Sequence, residues 1–63
     1  MQDKTGKKIH LRASVIVPDP IEGDIHSHSF QGTVDGYHGI FICIADQENN
    51  VFDIEADRLE IVE

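Results

Sequence analysis

Apolar and polar positions alternate through KIHLRASVIV, where Ile9, Leu11, Ala13, Val15 and Val17 share one face while His10, Arg12 and Ser14 share the other. That period of two predicts a half-buried strand over residues 8–17. Ile16 is an apolar intruder on its polar face. Pro18-Asp19-Pro20 ends the strand, because proline donates no ladder hydrogen bond and restricts the residue before it, so residues 18–24 read as a loop. A second strand is expected over residues 25–34. Side-chain alternation places His26, His28, Phe30, Gly32 and Val34 on one of its faces, opposite Ile25, Ser27, Ser29, Gln31 and Thr33. A buried imidazole must find hydrogen-bond partners. A bulge near Ser29, which turns both histidines away from the face of Phe30, resolves that conflict.

DGYHG at 35–39 carries the Asp-Gly signal of a hairpin and reads as the next connection. IFICIA at 40–45 is apolar without alternation, the pattern of a strand covered on both faces. DQENN at 46–50 reads as an ordinary turn, VFDI as a strand, EADR as one helical turn and LEIV as a closing strand. These elements make an all-β chain of five short antiparallel strands, with a 3₁₀ turn before the last, in a small curled sheet. At 63 residues it is a single domain with a small core.

Charge is distributed unevenly. Residues 1–12 hold Lys4, Lys7, Lys8 and Arg12 against Asp3, a net of +3; the remainder holds eleven acids against Arg58, a net of −10, giving −7 for the chain. Residues 1–7 therefore read as a flexible basic arm on an acidic body. Such a body repels phosphates and suits basic or neutral partners. It argues against nucleic acid as the main partner. A single cysteine, Cys43, forms no internal disulfide and reads as a small buried hydrophobe, and no signal segment or membrane span is visible. A reducing cytoplasm is the expected setting.

Phe30-Gln31-Gly32-Thr33-Val34, then Ala45-Asp46-Gln47, Phe52-Asp53-Ile54-Glu55 and Asp57-Arg58-Leu59-Glu60-Ile61 resemble small SH3-like barrel modules of the Tudor and KOW kind over about residues 24–62. In those families the G-x-V step opens a strand that bends around the barrel, and a 3₁₀ turn leads into the final strand. The resemblance implies a five-stranded SH3-like barrel that works by binding. KOW-like modules are associated with RNA, which here implies a contact through Lys4, Lys7, Lys8 and Arg12. Tudor-like modules hold methylated cations in an aromatic cage. Phe30, Phe41 and Phe52 lie on strands and read as core, which leaves Tyr37 as the exposed aromatic.

Candidate contacts for a protein partner are therefore Tyr37 and an acidic edge of Asp35, Asp46 and Glu48, with Ile40-Ile42-Ile44 or Ile16 as apolar contacts if a face stays open. Exposed sheet edges also make a homodimer a reasonable expectation. His26 and His28, about 7 Å apart on one strand face, form a candidate zinc pair, with His10 or His38 as a third ligand, and near so many carboxylates they also form a candidate pH-responsive group. DQENNVFDIEAD imitates a calcium loop, but Val51 stands where the sharp turn needs glycine. No GxSxG, HExxH, phosphate loop or dinucleotide fingerprint is present, so a non-enzymatic role without a cofactor is expected.

Overall fold

The computed structural model describes residues 1–18 and 28–62. Five strands, β1 (Ser14–Val17), β2 (Phe30–His38), β3 (Phe41–Ala45), β4 (Val51–Glu55) and β5 (Glu60–Ile61), pair antiparallel in one sheet of order β4-β3-β2-β1-β5. A 3₁₀ turn over Ala56–Arg58 precedes β5. The all-β class and the 3₁₀ turn before the last strand agree with the sequence reading.

That turn forces the sheet to curl. β4 and β5 are the two outermost strands, and a flat sheet holds them four spacings apart, about 19 Å. The five steps from Glu55 to Glu60 reach only about 17 Å when fully extended. Three of the intervening residues are wound in a 3₁₀ turn, which shortens the reach further. The concave face so formed encloses Ile9, Ala13, Val15, Val17, Val34, Ile42, Ile44, Ile54, Leu59 and Ile61; Phe30 and Phe52 pack against this core, their rings edge to face with each other at a centroid distance of 5.7 Å.

Several expectations need correction. The predicted strand over 8–17 is broken: Ile9 and Ala13 are buried, but Leu11 is exposed and Arg12 adopts φ 68, so only Ser14–Val17 lies in the ladder. IFICIA alternates after all, since Ile42 and Ile44 are fully buried while Phe41, Cys43 and Ala45 lie on the convex side. Phe41 is thus not a core residue, and Ile42 and Ile44 cannot be partner contacts. Asp35-Gly36 is not a hairpin turn. The strand continues through it with a register shift between Val34 and Gly36, and the chain reverses at Gly39-Ile40, where Gly39 takes φ 63. Glycine at the first of two loop residues suits a mirror-image turn, whose twist matches the flanking strands. β2 begins at Phe30, so Ser29 precedes the ladder and the bulge expected there does not occur in it; residues 25–27 of the expected strand lie outside the described residues.

Residues 1–9 are held to the body rather than extended as an arm. Asp3 and Asp46 build the same five-residue turn. In each, the backbone N–H groups two and four residues on donate to one carboxylate oxygen: Thr5 (2.8 Å) and Lys7 (2.9 Å) to Asp3 Oδ1, and Glu48 and Asn50 (both 2.9 Å) to Asp46 Oδ1. In each, the residue three on takes positive φ, Gly6 at 89 and Asn49 at 65. Glycine and asparagine are the residues that tolerate that conformation most readily.

The first turn also seals one edge of the sheet. The Val15–Ile61 pair leaves the Ile61 N–H pointing away from β1, and it donates to Asp3 Oδ2 at 2.7 Å, while the Lys4 N–H donates to the Leu59 carbonyl at 2.9 Å. The Asp3 carboxylate occupies the place that the carbonyl of a further strand would take. A solvent-exposed edge is thereby satisfied without another strand.

Candidate functional site

Exposed apolar side chains flank the β2–β3 reversal on both faces of the hairpin, Tyr37 in register with Ile42 on the core side and Phe41 in register with His38 on the convex side. Ile40 at its tip is 68% exposed, Tyr37 is 49% and Phe41 is 37%. Register places His38, Phe41 and Glu55 in one row across β2, β3 and β4, with Gly36, Cys43 and Asp53 in the next. Gly36 offers no side chain, so the second row is low at its β2 end. Asp35, Asp53 and Glu55 are exposed around these rows. Beside Glu55 opens a shallow groove of about 310 Å³ lined by Met1, Gln2, Ile40, Glu55, Ala56 and Asp57. An apolar tip is therefore framed by carboxylates.

Asp53 connects two groups on this face. Its Oδ2 lies 3.1 Å from His38 Nδ1, and its Oδ1 accepts the Cys43 Sγ–H at 3.3 Å. The bond to His38, then that from Cys43, hold the Asp53 carboxyl below its ordinary value despite partial burial. The same carboxylate, together with desolvation and the charge of Asp35, pushes the Cys43 thiol up. The order of groups matters chemically, because a carboxylate rather than an imidazole faces the sulfur. It keeps the thiol protonated, the opposite of what activates a cysteine nucleophile. Cys43 is expected to alkylate slowly with iodoacetamide near pH 8, and Asp53→Asn to speed the reaction severalfold by removing the charge that opposes the thiolate. An unchanged rate in that variant would contradict the assignment.

The acidic edge expected from sequence is divided. Tyr37 and Asp35 lie on β2 near the tip, whereas Asp46 and Glu48 occupy the β3–β4 turn at the other end of β3. Asp46 pairs its carboxylate with its own turn and is largely buried, so it shapes the loop rather than offering a contact. Glu48 remains exposed there.

For the histidines, His26 lies outside the described residues and His28 is exposed just ahead of β2. Among the described residues no group of three or more His, Cys, Asp or Glu side chains is placed to hold a metal ion. Lys4, Lys7, Lys8 and Arg12 are exposed on and after the first turn. Sequence reasoning took Phe41 for core and, although Asp53 and Glu55 read as acids on a solvated strand face, did not single out Asp53, Glu55 or Met1 as site residues. The signal that joins them was available: once β3 and β4 alternate, Phe41, Asp53 and Glu55 must share the convex face.

No helix among the described residues is long and apolar enough to cross a membrane. Comparison of the chain with protein-family models, with curated proteins and with solved structures found no match.

Proposed function

We propose that the chain is a small SH3-like barrel acting as a non-enzymatic protein-interaction module, and that its β2–β3 tip receives a basic or neutral protein surface in the cytoplasm. The strand order, with a 3₁₀ turn carrying the chain from one outer strand to the other, supports the barrel reading. The observation that carries the binding reading is the exposed Ile40 at the turn, followed by Phe41 on the convex face in register with Glu55 and next to the row of Asp53, while Tyr37 is exposed on the opposite face of the same hairpin end. Isolated surface apolar residues need no explanation, but three exposed at one hairpin end, with carboxylates on the convex side, have the composition of an interface centre and rim. The protonated thiol beside Asp53 fits a binding role better than a catalytic one.

Ile40→Ser and Tyr37→Ala test this reading. Both side chains are largely in solvent, so each variant is expected to keep its stability within about 0.5 kcal/mol. Both are expected to lose the partner recovered by wild-type protein in crosslinking and affinity capture, with crosslinks in the wild type falling at residues 37–41. A partner retained equally by both variants would place the interface elsewhere.

A further inference from the structure

The two outer strands of the sheet are treated differently. β5 is sealed by the first turn, through Asp3 on the Ile61 N–H and Lys4 on the Leu59 carbonyl. β4 is the opposite terminal strand, and its register with β3 tells which of its backbone groups face outward. In the turn, the Asp46 N–H donates to the Asn50 carbonyl and the Asn49 N–H to the Asp46 carbonyl. The next pair, Ala45–Val51, is then a non-hydrogen-bonded pair, and the alternation continues. Phe52 and Ile54 bond to β3, while the N–H and C=O groups of Val51, Asp53 and Glu55 point away from the sheet. Among the described residues no loop or turn backbone bond meets Val51 or Asp53 on that side, and the Glu55 N–H is likewise unmet, whereas the Glu55 carbonyl sits at the N-cap of the 3₁₀ turn and serves that turn.

We infer that this outer edge of β4, Val51–Glu55, accepts an extended lysine- or arginine-bearing segment of a partner protein as an added strand; this rests on the reading of the chain as a protein-binding module. Strand addition supplies main-chain hydrogen bonds, and side chains at alternate positions supply the choice of partner. Here the alternate positions on the convex side are Val51, Asp53 and Glu55, with Asp57 following, so the complementary strand carries cations opposite the carboxylates. The groove between Met1-Gln2 and Glu55-Asp57 continues the edge past its end and gives the segment a path off the strand. A second copy fits poorly. Antiparallel pairing of two β4 edges centred on Asp53 sets Asp53 against Asp53, and like charges directly opposite each other destabilise a sheet.

The probe is a capped heptapeptide of alternating lysine and valine, added to ¹⁵N-labelled protein while amide exchange is followed. In the free protein the Val51, Asp53 and Glu55 amides are expected to exchange quickly and those of Phe52 and Ile54 slowly. Peptide is expected to slow the first set at least about tenfold, with the gain shrinking as salt rises and the Debye length falls from about 10 Å toward 3 Å. Asp53→Lys combined with Glu55→Lys, checked for an unchanged thermal midpoint, is expected to abolish it. Binding that perturbs only Tyr37, Ile40 and Phe41 overturns strand addition while leaving the tip as an interface. Equal binding of a glutamate-valine peptide, or of the lysine peptide N-methylated on its ladder-facing amides, overturns the inference through charge or through pairing respectively. So does protection of all five amides in the free protein with a doubled mass, which assigns the edge to a second copy. Absence of peptide binding also overturns it; the tip reading then stands or falls on the Ile40→Ser capture alone.

Discussion

Replacing Asp3 with asparagine is expected to lower the thermal midpoint by about 10 °C or more, an unusually large effect for an isosteric change near a chain terminus. The carboxylate accepts four hydrogen bonds. Thr5 N–H, Thr5 O–H and Lys7 N–H converge on Oδ1, while Ile61 N–H meets Oδ2. Asparagine can keep a carbonyl oxygen in the first place only by setting its amide N–H₂ against the Ile61 N–H. Two donors then face each other in a buried site, which costs more than a missing bond. The closing strand has only two residues and loses the group that seals its outer edge. Thermal melts of Asp3→Asn and Asp46→Asn provide the comparison. Asp46 builds the same local turn, its carboxylate accepting from Glu48 and Asn50 of its own loop rather than from the two-residue closing strand, and its variant is expected to fall by less.

Acid should act through the same residue. Burial alone raises the Asp3 carboxyl, but the bonds from Ile61, Thr5 and Lys7 outweigh it and hold the group well below the usual carboxylate range. A folded-state value lower than the unfolded one means that the unfolded chain takes up the proton first as pH falls. The stabilisation is therefore complete above the unfolded value of about 3.9. It declines below that, as pH falls toward the folded value. The difference in stability between wild type and Asp3→Asn is accordingly expected to be constant from neutrality to about pH 5 and to shrink toward pH 2. A difference that widens on acidification would reverse the assignment. Comparing the two proteins cancels the response of the eleven other acids, which both share.

What could be read in the sequence followed from local rules that tertiary contacts left alone. VFDI, EADR and LEIV fall where expected because each apolar run is short and bounded by polar turn residues. The misplaced elements are those where two local signals competed. Asp35-Gly36 and His38-Gly39 offer rival reversals, and pairing of Tyr37 with Ile42 and of His38 with Phe41 decides for the second. The turn at Asp3 was legible in principle, since Asp3-x-x-Gly6 repeats the spacing of Asp46-x-x-Asn49. Lysines on either side disguised it as a solvated arm. The candidate site was half visible: Tyr37 could be singled out as the aromatic beside glycines, whereas Ile40 was named only together with Ile42 and Ile44, which the core takes. Hydrophobicity shows that a residue is apolar, and only topology shows that it stands at a tip.

Gly32 shows how narrowly the curled sheet is specified. A Cβ at this position meets the Ala45 carbonyl oxygen and Ile44 Cγ2, both at 2.6 Å. The side-chain methyl could turn aside at some expense, but the oxygen belongs to the backbone of β3 and moves only with its strand. Gly32 and Val34 both face the core, and Ile44 fills the space that Gly32 leaves open. Gly32→Ala is expected to cost about 3 kcal/mol. That is a large part of the roughly 3–9 kcal/mol available to a domain of this length, and Gly32→Val is expected to leave the chain unfolded. Gly36→Ala is the matched control, four residues along the same strand with nothing within 4 Å of the new methyl and no positive φ to accommodate. It is expected to change stability by no more than about 0.5 kcal/mol. Urea denaturation of the two alanine variants separates the possibilities. Equal losses would mean that glycine is required at both positions for its effect on strand propensity. A loss confined to Gly32 means that close approach of β2 to β3 sets the curvature, and with it the two neighbouring rows in which Phe41 and Glu55, then Cys43 and Asp53, are presented.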